Sequence, residues 1–144
     1  MCDKETVRIL NRLWKSERIT HGYYGFLAGF GRTGRLKREL ESLRRDHGRY
    51  AEMIEQYIRS LGGIITHASI PNLIAFRNAI GASFADPGQV LRKVYQEEDV
   101  GLRAYEQALA NPLDDQTRAL LAGIAHDTQQ HLAMLQGLFI SKNK

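Results

Sequence analysis

Four stretches of the chain, each about 25 residues long, repeat apolar side chains at three- and four-residue steps. That period gathers them on one face of an α-helix, so whatever the chain becomes must bury four long helical stripes. The first stripe is Leu10, Leu13, Trp14, Glu17, His21, Tyr24 and Leu27, opened by Asp3 as a capping candidate and closed by Gly29, Gly31 and Gly34. The second carries Leu36, Leu40, Leu43, Asp46 or His47, Tyr50, Met53 or Ile54, Tyr57 and Leu61, from Thr33 as N-cap to the stop at Gly62-Gly63. Asp86-Pro87 reads as N-cap and first helical residue of a third, with Leu91, Val94, Tyr95, Glu98, Leu102, Tyr105 and Leu109. After the break at Asn111-Pro112, a fourth begins near Asp114 or Asp115, with Leu120, Leu121, Ile124, Asp127, His131, Met134, Leu135 and Leu138 on its inner side.

Short turns join the first stripe to the second and the third to the fourth, which makes each pair an antiparallel hairpin. Residues 62–86 are too many for a turn. They contain a small apolar helix near Pro71 to Ile80 and can span the length of a bundle, about 38 Å for 25 residues at 1.5 Å each. The expected fold is therefore all-α. It is a four-helix bundle of two antiparallel hairpins, with helices at about 4–29, 34–61, 87–110 and 114–140 and one long crossover. With 144 residues the expectation is a single domain over 1–144.

Composition narrows the chemistry. At 43% hydrophobic and 25% charged residues, disorder and collagen-like structure are excluded. A lone cysteine, Cys2, excludes an internal disulfide and a cysteine-built metal cluster, so any metal must be held by carboxylates and histidines. No apolar run suits a membrane span, and Met1-Cys2-Asp3-Lys4-Glu5 lacks the hydrophobic stretch of a secretory signal. The expectation is a cytoplasmic protein with no membrane partner. The net charge of +4 matches the excess between Arg32 and Arg49, where seven basic residues face Glu39, Glu41 and Asp46. Such runs are usually solvated helix faces, and nucleic acid is not an expected partner. Gly29-Phe30-Gly31-Arg32-Thr33-Gly34 follows a helix instead of a strand, which argues against a phosphate-cradling loop.

The two hairpins also resemble each other. A shift of 81 positions superposes Leu10 on Leu91, Leu13 on Val94, Tyr24 on Tyr105, Leu40 on Leu121, Leu43 on Ile124 and Ile54 on Leu135. The same shift superposes Glu17 on Glu98 and Asp46 on Asp127. All four acids sit within apolar stripes, where an ionised group is costly unless paired, hydrogen-bonded or metal-bound. Each pair is equidistant from its turn, so a pseudo-twofold arrangement would gather four carboxylates in one mid-bundle layer. Helical bundles build two-metal sites in this way, and oxygen-rich ligation suits iron or manganese.

In this respect the chain resembles the ferritin-like superfamily, whose di-iron members carry one Glu on each of two helices and Glu-x-x-His on the other two. Residues 97–109 (Glu-Glu-Asp-Val-Gly-Leu-Arg-Ala-Tyr-Glu-Gln-Ala-Leu), with Ala75-Phe76-Arg77, Val90-Leu91 and His131, more closely resemble DUF2383, a family of bacterial ferritin-like bundles. That likeness covers roughly residues 7–140 and implies the bundle fold without implying a reaction.

The sequence departs from the di-iron pattern where Arg49 and Gln130 stand three residues after Asp46 and Asp127. The substitutes are Tyr50 and His131, at four residues' spacing, with His21 as a further candidate in an asymmetric, one-metal site. The expected metal ligands are thus Glu17, Asp46, Glu98, Asp127 and His131, binding one or two iron or manganese ions for oxygen, peroxide or Fe(II) chemistry. The alternative is a metal-free structural or interaction bundle, including a homodimer, in which Arg44, Arg45, Arg49 and Arg103 neutralise the acids. His47, His67 and His126 are assigned to the surface or the crossover, and the tyrosines to packing.

Overall fold

The structure, a computed structural model, describes residues 4–29, 34–66 and 87–142. Among these residues the chain is all-helical, with four helices and no strand, consistent with a four-helix bundle. They are α1 (Lys4–Ala28), α2 (Gly34–Ser60), α3 (Pro87–Leu109) and α4 (Asp115–Lys142). The expected caps Asp3, Thr33 and Asp86, the short helix near 71–80 and His67 lie outside the described residues. No described helix is long and apolar enough to cross a membrane. The chain divides into two compact units, Met1–Ile70 and Pro71–Lys144.

In the first unit α1 and α2 pack antiparallel. Val7 lies close to Gly63, Glu17 bonds to His47 and His21 to Arg44, so rising numbers on one helix meet falling numbers on the other. Leu10, Leu13, Tyr24 and Leu27 of α1 and Leu40, Leu43, Tyr50, Ile54 and Ile58 of α2 are buried. Each such side chain contributes about 1.5–3 kcal/mol relative to exposure. Helix α2 ends in a Schellman motif: Gly63 N–H donates to Ile58 C=O at 2.9 Å, Gly62 N–H to Arg59 C=O at 3.0 Å, and Gly62 has φ of 78°. That left-handed residue is where glycine is needed. The chain leaving the motif is tied back to α1 by the buried amide of Asn11. Its Nδ2 donates to the carbonyls of Val7 (3.1 Å) and Ile64 (3.0 Å), and its Oδ1 accepts the Thr66 N–H at 2.9 Å.

In the second unit α3 and α4 also pack antiparallel, through Glu98 with His131 and Tyr95 with Phe139. Val90, Leu91, Val94 and Tyr105 are buried on α3, and Leu121, Ile124 and Leu135 on α4. The turn between them gathers the carbonyls that a helix end leaves without partners. Asn111 Nδ2 donates to Gln107 and Ala108, while the Arg118 guanidinium donates to Leu109 and Asn111, both at 2.9 Å. Asp114 caps α4 by accepting the Thr117 N–H at 2.7 Å. That backbone hydrogen bond is the largest of the influences holding the Asp114 carboxyl below its ordinary value.

Candidate functional site

Each unit buries one glutamate against one histidine. On α1 the buried positions Leu10, Leu13, Glu17, Tyr24 and Leu27 follow one helical column, and on α3 Leu91, Val94, Glu98, Tyr105 and Ala108 follow the same column 81 positions later. Glu17 is 4% exposed and Glu98 is 1% exposed. The columns facing them are Leu40, Leu43, His47, Tyr50 and Ile54 on α2 and Leu121, Ile124, Thr128, His131 and Leu135 on α4, again related by 81.

Glu17 Oε2 lies 2.5 Å from His47 Nδ1, and Glu98 Oε1 lies 2.7 Å from His131 Nδ1. A carboxylate beside Nδ1 makes that nitrogen the donor and turns Nε2 into the ring's acceptor. Both contacts are short, as charge-assisted hydrogen bonds are. The His47 ring is further fixed by two edge-on tyrosines, Tyr24 and Tyr50, each with its centroid 5.4 Å away. Both tyrosines are buried, as the assignment to packing requires. In the second unit the Thr128 hydroxyl is satisfied within its own helix, donating to the Ile124 carbonyl at 2.9 Å.

Of the residues expected from sequence, Glu17, Glu98 and His131 are buried, and the last two are brought together. Asp46 and Asp127 lie one residue off the buried columns and are half-buried. Asp46 is 3.6 Å from Arg49 on its own helix, and Arg49 also stands over the Tyr50 ring. His47, assigned to the surface from sequence, is instead 4% exposed and is the partner of Glu17. The reason is helical phase. The alternating three- and four-residue steps from Leu40 through Leu43 continue to His47, Tyr50 and Ile54, and that run was the signal for it. His126 is exposed, in keeping with its surface assignment.

Of the arginines expected to neutralise the acids, Arg49 reaches Asp46, while the buried Glu17 and Glu98 are met by histidines. Arg44, Arg45, Arg49 and Arg103 are exposed, and Arg103 pairs with Asp99 along α3 at 3.1 Å. His21 is half-buried and donates from Nδ1 to the Arg44 carbonyl at 2.8 Å. Burial pushes the Glu97 carboxyl above its ordinary value despite its exposed edge, and the neighbouring Glu98 charge adds to this against the pull of Lys93.

Each pair therefore offers carboxylate oxygen and imidazole nitrogen in a water-poor setting. A histidine that holds a carboxylate through Nδ1 is oriented as metal-binding histidines usually are, with Nε2 as the coordinating atom. The sequence matches no model of a known protein family and no curated protein.

Proposed function

We propose that the protein is a ferritin-like bundle that binds iron or manganese through buried carboxylates and imidazoles. The residues are Glu17, Glu98 and His131 of the expected set, joined by His47, with Asp46 and Asp127 as flanking acids. The observation that carries this reading is the recurrence, once in each helix pair, of a buried glutamate hydrogen-bonded to Nδ1 of a buried histidine. The resemblance to the ferritin-like superfamily and DUF2383 supports it, because di-iron members of that superfamily hold metal with glutamates and histidines carried on their helices. Mixed oxygen and imidazole donors suit iron and manganese. Bound there, such an ion would supply oxygen, peroxide or Fe(II) oxidation chemistry. The chain's own contribution is to orient the imidazoles through Nδ1, hold a proton at that atom and exclude water.

A second reading has its own observation. Contacts of 2.5 and 2.7 Å already give each buried carboxylate a donor, so the same pairs serve a metal-free structural bundle by fixing the register of each helix pair. Elemental analysis of untagged protein, followed by anaerobic titration with Fe(II) and Mn(II), separates the two. The metal reading expects one or two ions per chain, lost in Glu17→Gln/Glu98→Gln protein that keeps its helical circular dichroism. Protein that is isolated without metal and takes up neither ion refutes it.

A further inference from the structure

We propose that a groove beside the N-terminal half of α1 binds an alkyl carboxylate, with the acid head on a cationic rim and the aliphatic tail along an apolar wall. The proposal is independent of the metal reading, since the groove's described lining residues lie in the first unit and include neither Glu17 nor His47. The groove encloses about 610 Å³, within the usual range for small-molecule sites.

Its shape follows from helical spacing. Lys4, Arg8, Arg12 and Lys15 recur at three- and four-residue steps along one side of α1, and Val7 and Asn11 form the adjoining row. The facing wall is the segment after α2, which contributes Leu61 and Ile64. Ile64 is 78% exposed, the more exposed of the two large apolar side chains left in solvent among the described residues. This wall is firmly set. Asn11 uses both amide hydrogens and its oxygen on Val7, Ile64 and Thr66. A Cβ on Gly63 would stand 3.0 Å from both methyls of Val7.

The chemistry of the occupant follows from what is satisfied and what is not. With Asn11 engaged by the backbone, the groove's polar recognition falls to the rim. There Arg8 is paired with Glu5 at 2.8 Å, whereas Lys4, Arg12 and Lys15 have no hydrogen bond or ion pair among the described residues. Three cations with no acid among the described residues, beside an exposed apolar wall, are complementary to a molecule that is anionic at one end and aliphatic along the rest. Lysine and arginine stems can also cover such a tail while their charged ends hold the head. A short anion would leave Ile64 exposed, and a neutral alkane derivative would leave the cations without an acid.

Isothermal titration calorimetry of the full chain with laurate, below its micelle concentration, tests the proposal. Saturable one-site binding is expected, with dodecanol and acetate at least tenfold weaker. Arg12→Glu/Lys15→Glu and Ile64→Asp should each weaken laurate at least tenfold while retaining the parent's circular dichroism. Amide NMR shifts induced by laurate should centre on Gly62, Gly63 and Thr66. Three results overturn the idea: no saturable laurate binding, equal affinity for dodecanol, or variants that are folded and bind unchanged. Association with phosphatidylglycerol vesicles but not with free laurate would overturn it too, by showing a lipid surface to be the occupant.

Discussion

Replacing His131 by leucine removes the Nδ1 donor 2.7 Å from a glutamate that is 1% exposed. A hydrogen bond to a buried charge contributes about 1.5–3 kcal/mol, and breaking one side of a buried ion pair costs about 3–5 kcal/mol. The His131 side chain retains 11% exposure, which admits some water and places the expected loss near the lower bound, about 3 kcal/mol. That is a large share of the roughly 5–15 kcal/mol that keeps a domain folded. Replacing both partners, Glu98→Leu/His131→Leu, removes the desolvated charge as well. The double variant is expected within about 1 kcal/mol of the parent, or above it. Urea denaturation followed by far-ultraviolet circular dichroism, in the presence of a chelator, measures both. The coupling between the two sites should reach at least about 2 kcal/mol. Single losses that simply add, or a His131→Leu protein with an unchanged midpoint, would refute the view that this pair bears on stability.

Three further outcomes follow from the local geometry. Gly62→Ala places a Cβ on a residue with φ of 78° and should cost about 1–2 kcal/mol; an unshifted urea midpoint would contradict the turn described. Asn11→Leu strips the hydrogen bonds to Val7, Ile64 and Thr66, so stability should fall by about 2 kcal/mol and the Thr66 amide should exchange faster with solvent. Unaltered exchange at Thr66 would show that the latch is not needed. Asp114 has its carboxyl held below the ordinary 3.8, mainly by the Thr117 backbone N–H. A depressed folded-state value adds stability above the unfolded value and loses it as pH falls through the folded one. Asp114→Asn should therefore melt earlier than the parent at neutral pH, with the gap closing well below pH 3.8. A gap that persists in strong acid would assign the effect to packing instead.

Much of the helical content was legible because the chain repeats one signal four times. Apolar residues at three- and four-residue steps, the pair Gly62-Gly63, the break at Asn111-Pro112 and Pro87 at a helix start each mark an element by its own chemistry. Glu17 and Glu98 were equally legible, since an acid inside an apolar stripe asks for a partner. Their partners were harder to read. Asp46 and His47 differ by one residue, or 100° around a helix, and both lie near the stripe of α2. Acid identity favours Asp46, whereas the phase of Leu43, Tyr50 and Ile54 favours His47, and the structure follows phase. Arginine was the expected counterion because it is abundant nearby. Its long side chain reaches water easily, and Arg44, Arg45 and Arg49 stay outside.

Gly48 leads to a consequence for substitution. It is half-buried on α2, where a loss of side chain ordinarily weakens a helix. A Cβ there would come within 2.9 Å of His21 Nδ1, the same nitrogen that donates to Arg44. The neighbouring helix has in effect lent position 48 its side chain. Alanine, the best helix former, would have to evict that imidazole, so a change that favours α2 in isolation sets the two helices against each other.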